Sequence, residues 1–287
     1  MRLTRTGLHL LPFLAIACTG AATRQPQSPA PEPVRQEPIL QNPSANSWAF
    51  AYAPGLASYR ITRSAAVENT TDPTPIREIT TNLTHETLGF ERVGDTIQFT
   101  AVVDTFATTT QSLVGPAQAS PLPIRITGWL VHDTLQIAAD SLATQCSPSQ
   151  SAIRTDVHNL VVPFPARLER GAIWTDSLEF VGCQAMITTT AHIHRTFRVS
   201  GETSYSGSPV VLVERLDTIQ AHGEGALRQH RVILDASGNG RVLYYLSPST
   251  GQIVNATAEQ NIGLVITASG KANNFRQTVK QEFALVR

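Results

Sequence analysis

Apolar and polar residues alternate with a period of two along most of the chain. Between residues 96 and 104, Ile97, Phe99, Ala101 and Val103 are apolar, whereas most positions between them are polar. The C-terminal segment repeats this alternation with four apolar positions on one side: Phe275, Val279, Phe283 and Leu285. Because successive side chains of a strand point to opposite faces, the pattern is typical of half-buried antiparallel strands.

Nine further segments carry strand patterns. They are residues 59–67, 75–88, 124–131, 134–139, 187–199, 210–220, 227–234, 241–246 and 252–268. Stretches rich in glycine, serine and asparagine predict hairpin turns at residues 237–240, 249–251 and 269–270. Gly223-Glu224-Gly225 lacks the rest of a phosphate-binding fingerprint, so we interpret it as a further turn.

One segment, residues 149–159, favours a helix, and Pro163 and Pro165 prevent the helix from extending much further. The sequence therefore predicts an all-β fold of about eleven mainly antiparallel strands with one short helix. We expect a strongly curved sheet, either a half-barrel over the helix or a closed barrel, because both arrangements protect sheet edges. Two consecutive β domains that meet near residues 142–151 are the alternative.

The N-terminus has the parts of a bacterial export signal. Two arginines precede an apolar stretch over residues 7–17, which is too short to span a bilayer as a helix. The tripeptide Ile16-Ala17-Cys18 resembles the end of a lipobox, although Ala15 stands where leucine is usual. The resemblance implies a signal peptide over residues 1–17 and a lipid-carrying Cys18. Secretion without lipid and a chance apolar start are the alternatives.

The segment that follows is expected to be a tether. Residues 18–46 contain six of the 18 prolines, together with many polar and small residues, and this composition predicts disorder. Residues 47–287 then form a single antiparallel β domain. Thr19 follows the anchor cysteine where aspartate would favour inner-membrane retention, so we expect an outer-membrane lipoprotein that faces the periplasm.

The balanced charge of the chain argues against binding to nucleic acid and to anionic membrane surfaces. The chain carries 22 basic and 22 acidic side chains, so its formal net charge is zero. Binding to nucleic acid or to anionic headgroups needs a concentrated positive surface. We therefore expect no nucleic-acid partner, and contact with the membrane only through Cys18.

Two cysteines remain after Cys18, namely Cys146 and Cys183. An even pair in an exported protein predicts a disulfide. A redox or metal-binding pair is the alternative, but redox cysteines normally stand close together, as in C-x-x-C. The sequence therefore favours a structural disulfide.

One stretch resembles a known group of proteins. Gly171-Ala172-Ile173-Trp174-Thr175-Asp176 is similar to the Gly-x-x-Trp-x-Asp pattern at the start of a strand in bacterial envelope lipoproteins of unknown function. This resemblance covers residues 160–287. The strand order and the single helix also resemble the half-barrel carriers of the LolA/LolB type, which implies an apolar cavity between sheet and helix. No catalytic residue is carried over from either group.

Four residues are candidates for a binding site. His192 and His194 stand two apart on a strand and point the same way, as metal ligands can. Their face is otherwise polar, so solvated histidines are the simpler interpretation, and we predict neither a metal nor a cofactor. Trp129 and Trp174 are candidates for lining an apolar ligand cavity, with core packing as the alternative.

Motifs of an enzyme are missing from the sequence. It contains no G-x-S-x-G motif, and His85-Glu86 lacks the second histidine of a zinc protease. We therefore predict a non-enzymatic, lipid-anchored envelope protein that binds an apolar ligand or a lipoprotein in a curved β-sheet cavity. The alternatives are a structural or assembly module that docks another envelope protein, and a hydrolase whose site forms only in the fold.

Overall fold

The computed structural model describes residues 46–71, 77–111, 122–131, 134–138, 146–184, 186–227 and 230–286. The predicted signal peptide, Cys18 and the tether up to residue 45 lie outside the described residues. Lipid attachment at Cys18 therefore stays a prediction.

Within these ranges the chain forms thirteen strands and one helix. The first six strands are β1 (Ser47–Ala49), β2 (Gly55–Asn69), β3 (Arg77–Val93), β4 (Thr96–Gln111), β5 (Ile124–Val131) and β6 (Thr134–Ile137). The helix α1 (Pro148–Leu160) follows them. The remaining strands are β7 (Arg167–Glu169), β8 (Ile173–Gln184), β9 (Ile187–Tyr205), β10 (Ser208–Leu227), β11 (His230–Ser247), β12 (Gln252–Ala268) and β13 (Lys271–Val286).

Eleven of the strands form one antiparallel sheet that curls into a half-barrel. Their order is β6-β5-β4-β3-β2-β13-β12-β11-β10-β9-β8, and β1 pairs separately with β7. The pairing of β2 with β13 joins the strands before α1 to those after it in a single sheet. The predicted all-β class, with one helix and a curved antiparallel sheet, is confirmed, and the half-barrel is the alternative that the chain adopts.

The two ends of the half-barrel differ. At one end, which we call the closed end, Phe50 and Tyr52 pack with Phe90 and Phe164, and neighbouring ring centroids lie 4.7 to 5.5 Å apart. The opposite end, which we call the far end, contains the last residue of β2, Asn69, and the β12–β13 turn. Packed aromatic rings therefore occupy this end of the curled sheet.

Helix α1 has clear signals at both ends. The Ser147 hydroxyl caps the first turn by accepting a hydrogen bond from the Gln150 N–H, and Pro148 occupies the first turn. The Val161 N–H donates to the Val157 carbonyl before the two prolines end the helix. The helix extends one residue beyond its predicted range on each side. A disulfide joins Cys146 to Cys183 at the end of β8, so the predicted pair is bonded in the structure.

The core lies between α1 and the concave face of the sheet. Ile153, Val157 and Leu160 project from the helix and are fully buried. They belong to the same cluster as concave residues of β2, β9, β11 and β13, among them Ile61, Phe197, Tyr244 and Phe283. Each fully buried apolar side chain of this size contributes about 1.5–3 kcal/mol to folding.

Two glycine-rich stretches that we predicted as turns lie inside strands, so these predictions are wrong. Gly223 and Gly225 belong to β10, and residues 237–240 belong to β11, which is one continuous strand. The glycines allow close approach between strands of a strongly curved sheet. A Cβ on Gly238 would overlap the Asn261 carbonyl oxygen and lie 2.8 Å from the Ile262 Cα.

The other two predicted turns are correct. Gly251 and Gly270 adopt φ values of 60° and 79°, which glycine tolerates better than other residues, between β11 and β12 and between β12 and β13. Strands β1 and β7 were not among the predicted segments, and the start of β8 was implied only by the Gly-x-x-Trp-x-Asp resemblance. β1 and β7 have three residues each, which is too short to show a period of two.

Two glycines in neighbouring strands test the close-approach argument. We expect Gly238→Ala to lower the free energy of unfolding by about 1–3 kcal/mol, because the new methyl group has no space. Gly263→Ala is the matched control, since the nearest atom to its added Cβ is 3.7 Å away. Denaturant unfolding of both variants measures the difference. Equal stabilities would contradict the role assigned to Gly238.

Candidate functional site

The concave face of the half-barrel contains three zones in sequence from the closed end. The first is the apolar core under α1. The second is a set of buried charged and polar side chains, which we call the polar belt. The third is an apolar stretch toward the far end, and its cluster of buried residues includes no residue of α1.

The polar belt contains two arginines that are almost fully buried and ion-paired. The Arg215 Nε and Nη2 donate to the two Asp217 carboxylate oxygens over 2.8 and 2.9 Å, and Nη2 also donates to Asn159 of α1 over 2.9 Å. Arg195 makes a similar two-pronged contact with Asp176, over 2.6 Å at both nitrogens. These contacts offset the cost of burying the charges.

A second part of the belt holds the other side of α1. Asp156 of the helix accepts hydrogen bonds from Arg63 over 2.8 Å and from Gln281 over 2.5 Å. Burial raises the pKa of Asp156, and this effect outweighs the lowering by Arg63 and Gln281. The helix is therefore linked through one carboxylate to β2 and β13, which are central strands of the sheet.

Glu86 adds a buried carboxyl group to this region. Its side chain is 1% exposed, and neither oxygen has a hydrogen-bond partner within the described part of the chain. Burial, followed by the nearby Asp156, raises the pKa of Glu86 well above its ordinary value. A protonated carboxyl group avoids the larger cost of an unpaired buried charge.

Two polar residues of α1 border the third zone. His158 and Arg154 are 9% and 8% exposed, and both contact the ring of Phe180 on β8. Burial, together with the charges of Arg195, Arg154 and Arg215, lowers the pKa of His158 to about 3. The imidazole is therefore neutral at neutral pH. Its Nδ1 has no hydrogen-bond partner among the described residues.

The third zone is a row of apolar side chains that crosses six strands. Strand register aligns the residues in the order Phe180, Ala191, Ala221, Ala236, Leu264 and Phe275. We call this set the alanine row. Three small side chains form its middle and two phenylalanines stand at its ends. Five interstrand steps give the row a length of about 24 Å.

Apolar residues border the alanine row on the side toward the polar belt. They are Leu178, Ile193, Ile219 and Ile262, which are half-buried or buried and occupy the next aligned positions. Ala191, Ala221 and Phe275 in the row itself are also half-buried. The concave face thus carries an apolar strip with small side chains in its middle and with Phe180, Arg154 and His158 at one end, and we call this strip the apolar groove.

The structure places the two candidate tryptophans on opposite faces. Trp174 lies on the concave face and stacks on Phe197 with ring centroids 5.0 Å apart. Trp129 lies on the convex face, because the alternate positions Ile126 and Leu130 of β5 are the buried ones. The Trp129 indole N–H donates to Gln136. Of the two, Trp174 therefore borders the concave core, and Trp129 does not line a cavity there.

His192 and His194 lie together on the convex face of β9, as their spacing predicts. The His192 Nδ1 is 3.6 Å from a Glu179 carboxylate oxygen, and the His194 Nδ1 is 3.3 Å from the Ser177 hydroxyl. In the described ranges, no group of three or more histidine, cysteine, aspartate or glutamate side chains could hold a metal ion.

The convex face carries an open groove of about 560 Å³ over β9 to β13, and four residues of the alanine row also contribute to its lining. His222 and Asp235 form a 2.8 Å contact in it, and Ser237 contributes to its lining. The other ring nitrogen of His222 faces Glu224 at 3.8 Å. If His222 acted as a base, its second ring nitrogen would face the hydroxyl or thiol of a nucleophile. It faces the Glu224 carboxylate instead, so this cluster is not arranged for nucleophilic catalysis.

Sequence reasoning missed the charged residues of the polar belt. Arg215 and Asp217 continue the same alternating phase as Val211 and Val213, so a charged pair at apolar positions was a visible signal. Their partner on the helix, Asn159, is 56 residues away and carries no such signal.

His158 gives a pH-dependent test of this geometry. The folded-state pKa of about 3 lies below the unfolded value near 6.5, so the unfolded chain binds a proton first as the pH falls. Relative to His158→Gln, the wild type should lose up to about 1.4 kcal/mol of stability per pH unit between about pH 6.5 and 3. Denaturant unfolding across this range measures the difference. Parallel profiles for the two proteins would show that His158 titrates normally.

Known proteins provide no assignment for this chain. No protein-family model matches it, and the curated proteins contain no match. The curled antiparallel sheet is compatible with a LolA/LolB-like architecture. In the part of the chain that the structure describes, no helix is long and apolar enough to cross a membrane.

Proposed function

We propose that this protein is a non-enzymatic, lipid-anchored binding protein of the cell envelope that holds an apolar ligand on its concave face. The alanine row is the single observation that carries the proposal. An apolar ligand that covers the alanines between the two phenylalanines gains about 25 cal/mol of binding free energy for each Å² of apolar surface that is buried. Lipid attachment at Cys18 and an outer-membrane location belong to the proposal and rest on the N-terminal sequence.

The concave face supports this assignment better than the convex groove does. The convex groove is lined by exposed polar side chains such as Gln220, His222 and Asp235 together with apolar residues, some of which it shares with the alanine row. Ligand sites are mostly apolar, with a few placed polar groups. The alanine row has this composition, since Arg154 and His158 are the polar groups at one end.

An edge of the sheet favours a second candidate function, which is docking of another envelope protein. β8 ends the sheet and has no further strand beside it among the described residues. Its convex side exposes Ile173 and Val181, which are 65% and 47% exposed. A partner strand could add to this edge by main-chain hydrogen bonds.

Native mass spectrometry of the full chain carrying Cys18→Ser tests the first function. We expect protein purified from the export compartment to carry a discrete added mass that solvent extraction releases. Ala221→Phe should reduce the loaded fraction at least tenfold, because the new ring fills the alanine row. Gln220→Phe is the matched control, since strand alternation puts the neighbouring Gln220 side chain on the convex face.

Two results would contradict the proposal. One is a measured mass that equals the mass of the protein alone, both after purification and after incubation with total lipid extract. The other is a loaded fraction that Gln220→Phe abolishes and Ala221→Phe leaves intact, because the ligand would then occupy the convex groove. Capture of a stoichiometric partner protein that Val181→Asp releases would support the docking function instead.

A further inference from the structure

A buried positive charge lies at the β8 end of the alanine row. The Arg154 side chain is 8% exposed, and its guanidinium carbon is 5.7 Å from the centre of the Phe180 ring. Its Nε is buried without a hydrogen-bond partner, and no described carboxylate forms an ion pair with it. A guanidinium with one buried, unpartnered nitrogen and no described carboxylate beside it favours an anion supplied from outside the chain.

The nearby acidic residues are already used by other arginines. Asp176 accepts two hydrogen bonds from Arg195, and Asp217 accepts two from Arg215. Each of these pairs is internally balanced. Arg154 is therefore an excess cation at the border between the polar belt and the apolar groove.

His158 supplies a second unpartnered polar atom at the same place. It follows Arg154 by one helical turn, and its ring meets the Phe180 ring edge-on at 5.5 Å between centroids. Its Nδ1 is buried and has no hydrogen-bond partner within the described residues. Phe180 thus contacts the Arg154 guanidinium and the His158 imidazole of the helix, and it is followed in the sheet by the three alanines of the row.

We propose that the groove takes a single-chain anionic amphiphile, with a headgroup such as a carboxylate beside Arg154 and His158 and its hydrocarbon chain along the alanine row. The inference rests on the proposed function and adds the ligand's class and direction. The charge selects an anion, because a guanidinium binds a carboxylate through charge-assisted hydrogen bonds. The row suits a linear hydrocarbon chain, because three alanines are aligned across neighbouring strands between two phenylalanines.

The test compares three ligands that share one hydrocarbon chain and differ in headgroup. They are palmitate, cetyl alcohol and cetyltrimethylammonium, each at a concentration at which it is not micellar. Displacement of an environment-sensitive apolar fluorophore from the full chain carrying Cys18→Ser gives their relative affinities. We expect palmitate to bind at least tenfold more tightly than the alcohol, and the cation to bind most weakly.

Variants of Arg154 locate the headgroup. Arg154→Gln should weaken palmitate binding about tenfold and leave the affinity for cetyl alcohol within twofold, whereas Arg154→Lys should retain part of the preference. Arg231→Gln is the control, because Arg231 is an exposed arginine that pairs with Glu224 on the sheet surface. It should leave both affinities unchanged.

The outcomes separate this inference from the proposed function. If the wild type binds palmitate and the alcohol equally, the inference is overturned and an apolar ligand site remains. If no member of the series displaces the fluorophore, and the fluorophore itself binds only weakly, the proposed function fails as well. The comparison in the wild type needs no variant, so a folding defect in Arg154→Gln would not hide the answer.

Discussion

The position of α1 across the concave face depends on the polar contacts that the helix makes with the sheet. Asp156 links it to Arg63 and Gln281, and Asn159 links it to Arg215. Removing one partner of a buried ion pair typically costs about 3–5 kcal/mol, because the other charge is left unpaired. Apolar packing alone is not directional, so these contacts select one place for the helix on a long apolar surface.

This placement divides the concave face. The apolar side of α1 covers the core near the closed end, and its polar side chains meet the belt. The alanine row lies beyond the belt, where glycines and alanines let strands approach closely and leave a shallow floor. A helix fixed at the belt therefore provides a wall, with Arg154 and His158 on it, for an apolar groove formed by the sheet.

Much of the architecture could be predicted because strand alternation is a local signal. Residues such as Phe99 and Phe283 mark the buried face directly in the sequence, and Pro163 and Pro165 limit the helix. The glycines of β10 and β11 misled the prediction because a glycine needed for close approach resembles one needed for a turn. Only the register distinguishes the two cases.

The candidate site was less accessible to sequence reasoning. The alanine row joins residues from six strands, and each alanine is unremarkable in its own segment. Arg154 is informative only when its surroundings show that no described carboxylate pairs with it. Trp129 and Trp174 were equal candidates in sequence, and the phase of their strands puts them on opposite faces.

A crystal structure of the full chain carrying Cys18→Ser with palmitate would locate both the hydrocarbon chain and the carboxylate of the ligand. We expect electron density for the hydrocarbon chain over Ala191, Ala221 and Ala236, with the carboxylate in contact with Arg154 and with α1 still paired to Arg63 and Arg215. Palmitate density in the convex groove beside His222, or beneath a displaced α1, would contradict this placement of the ligand.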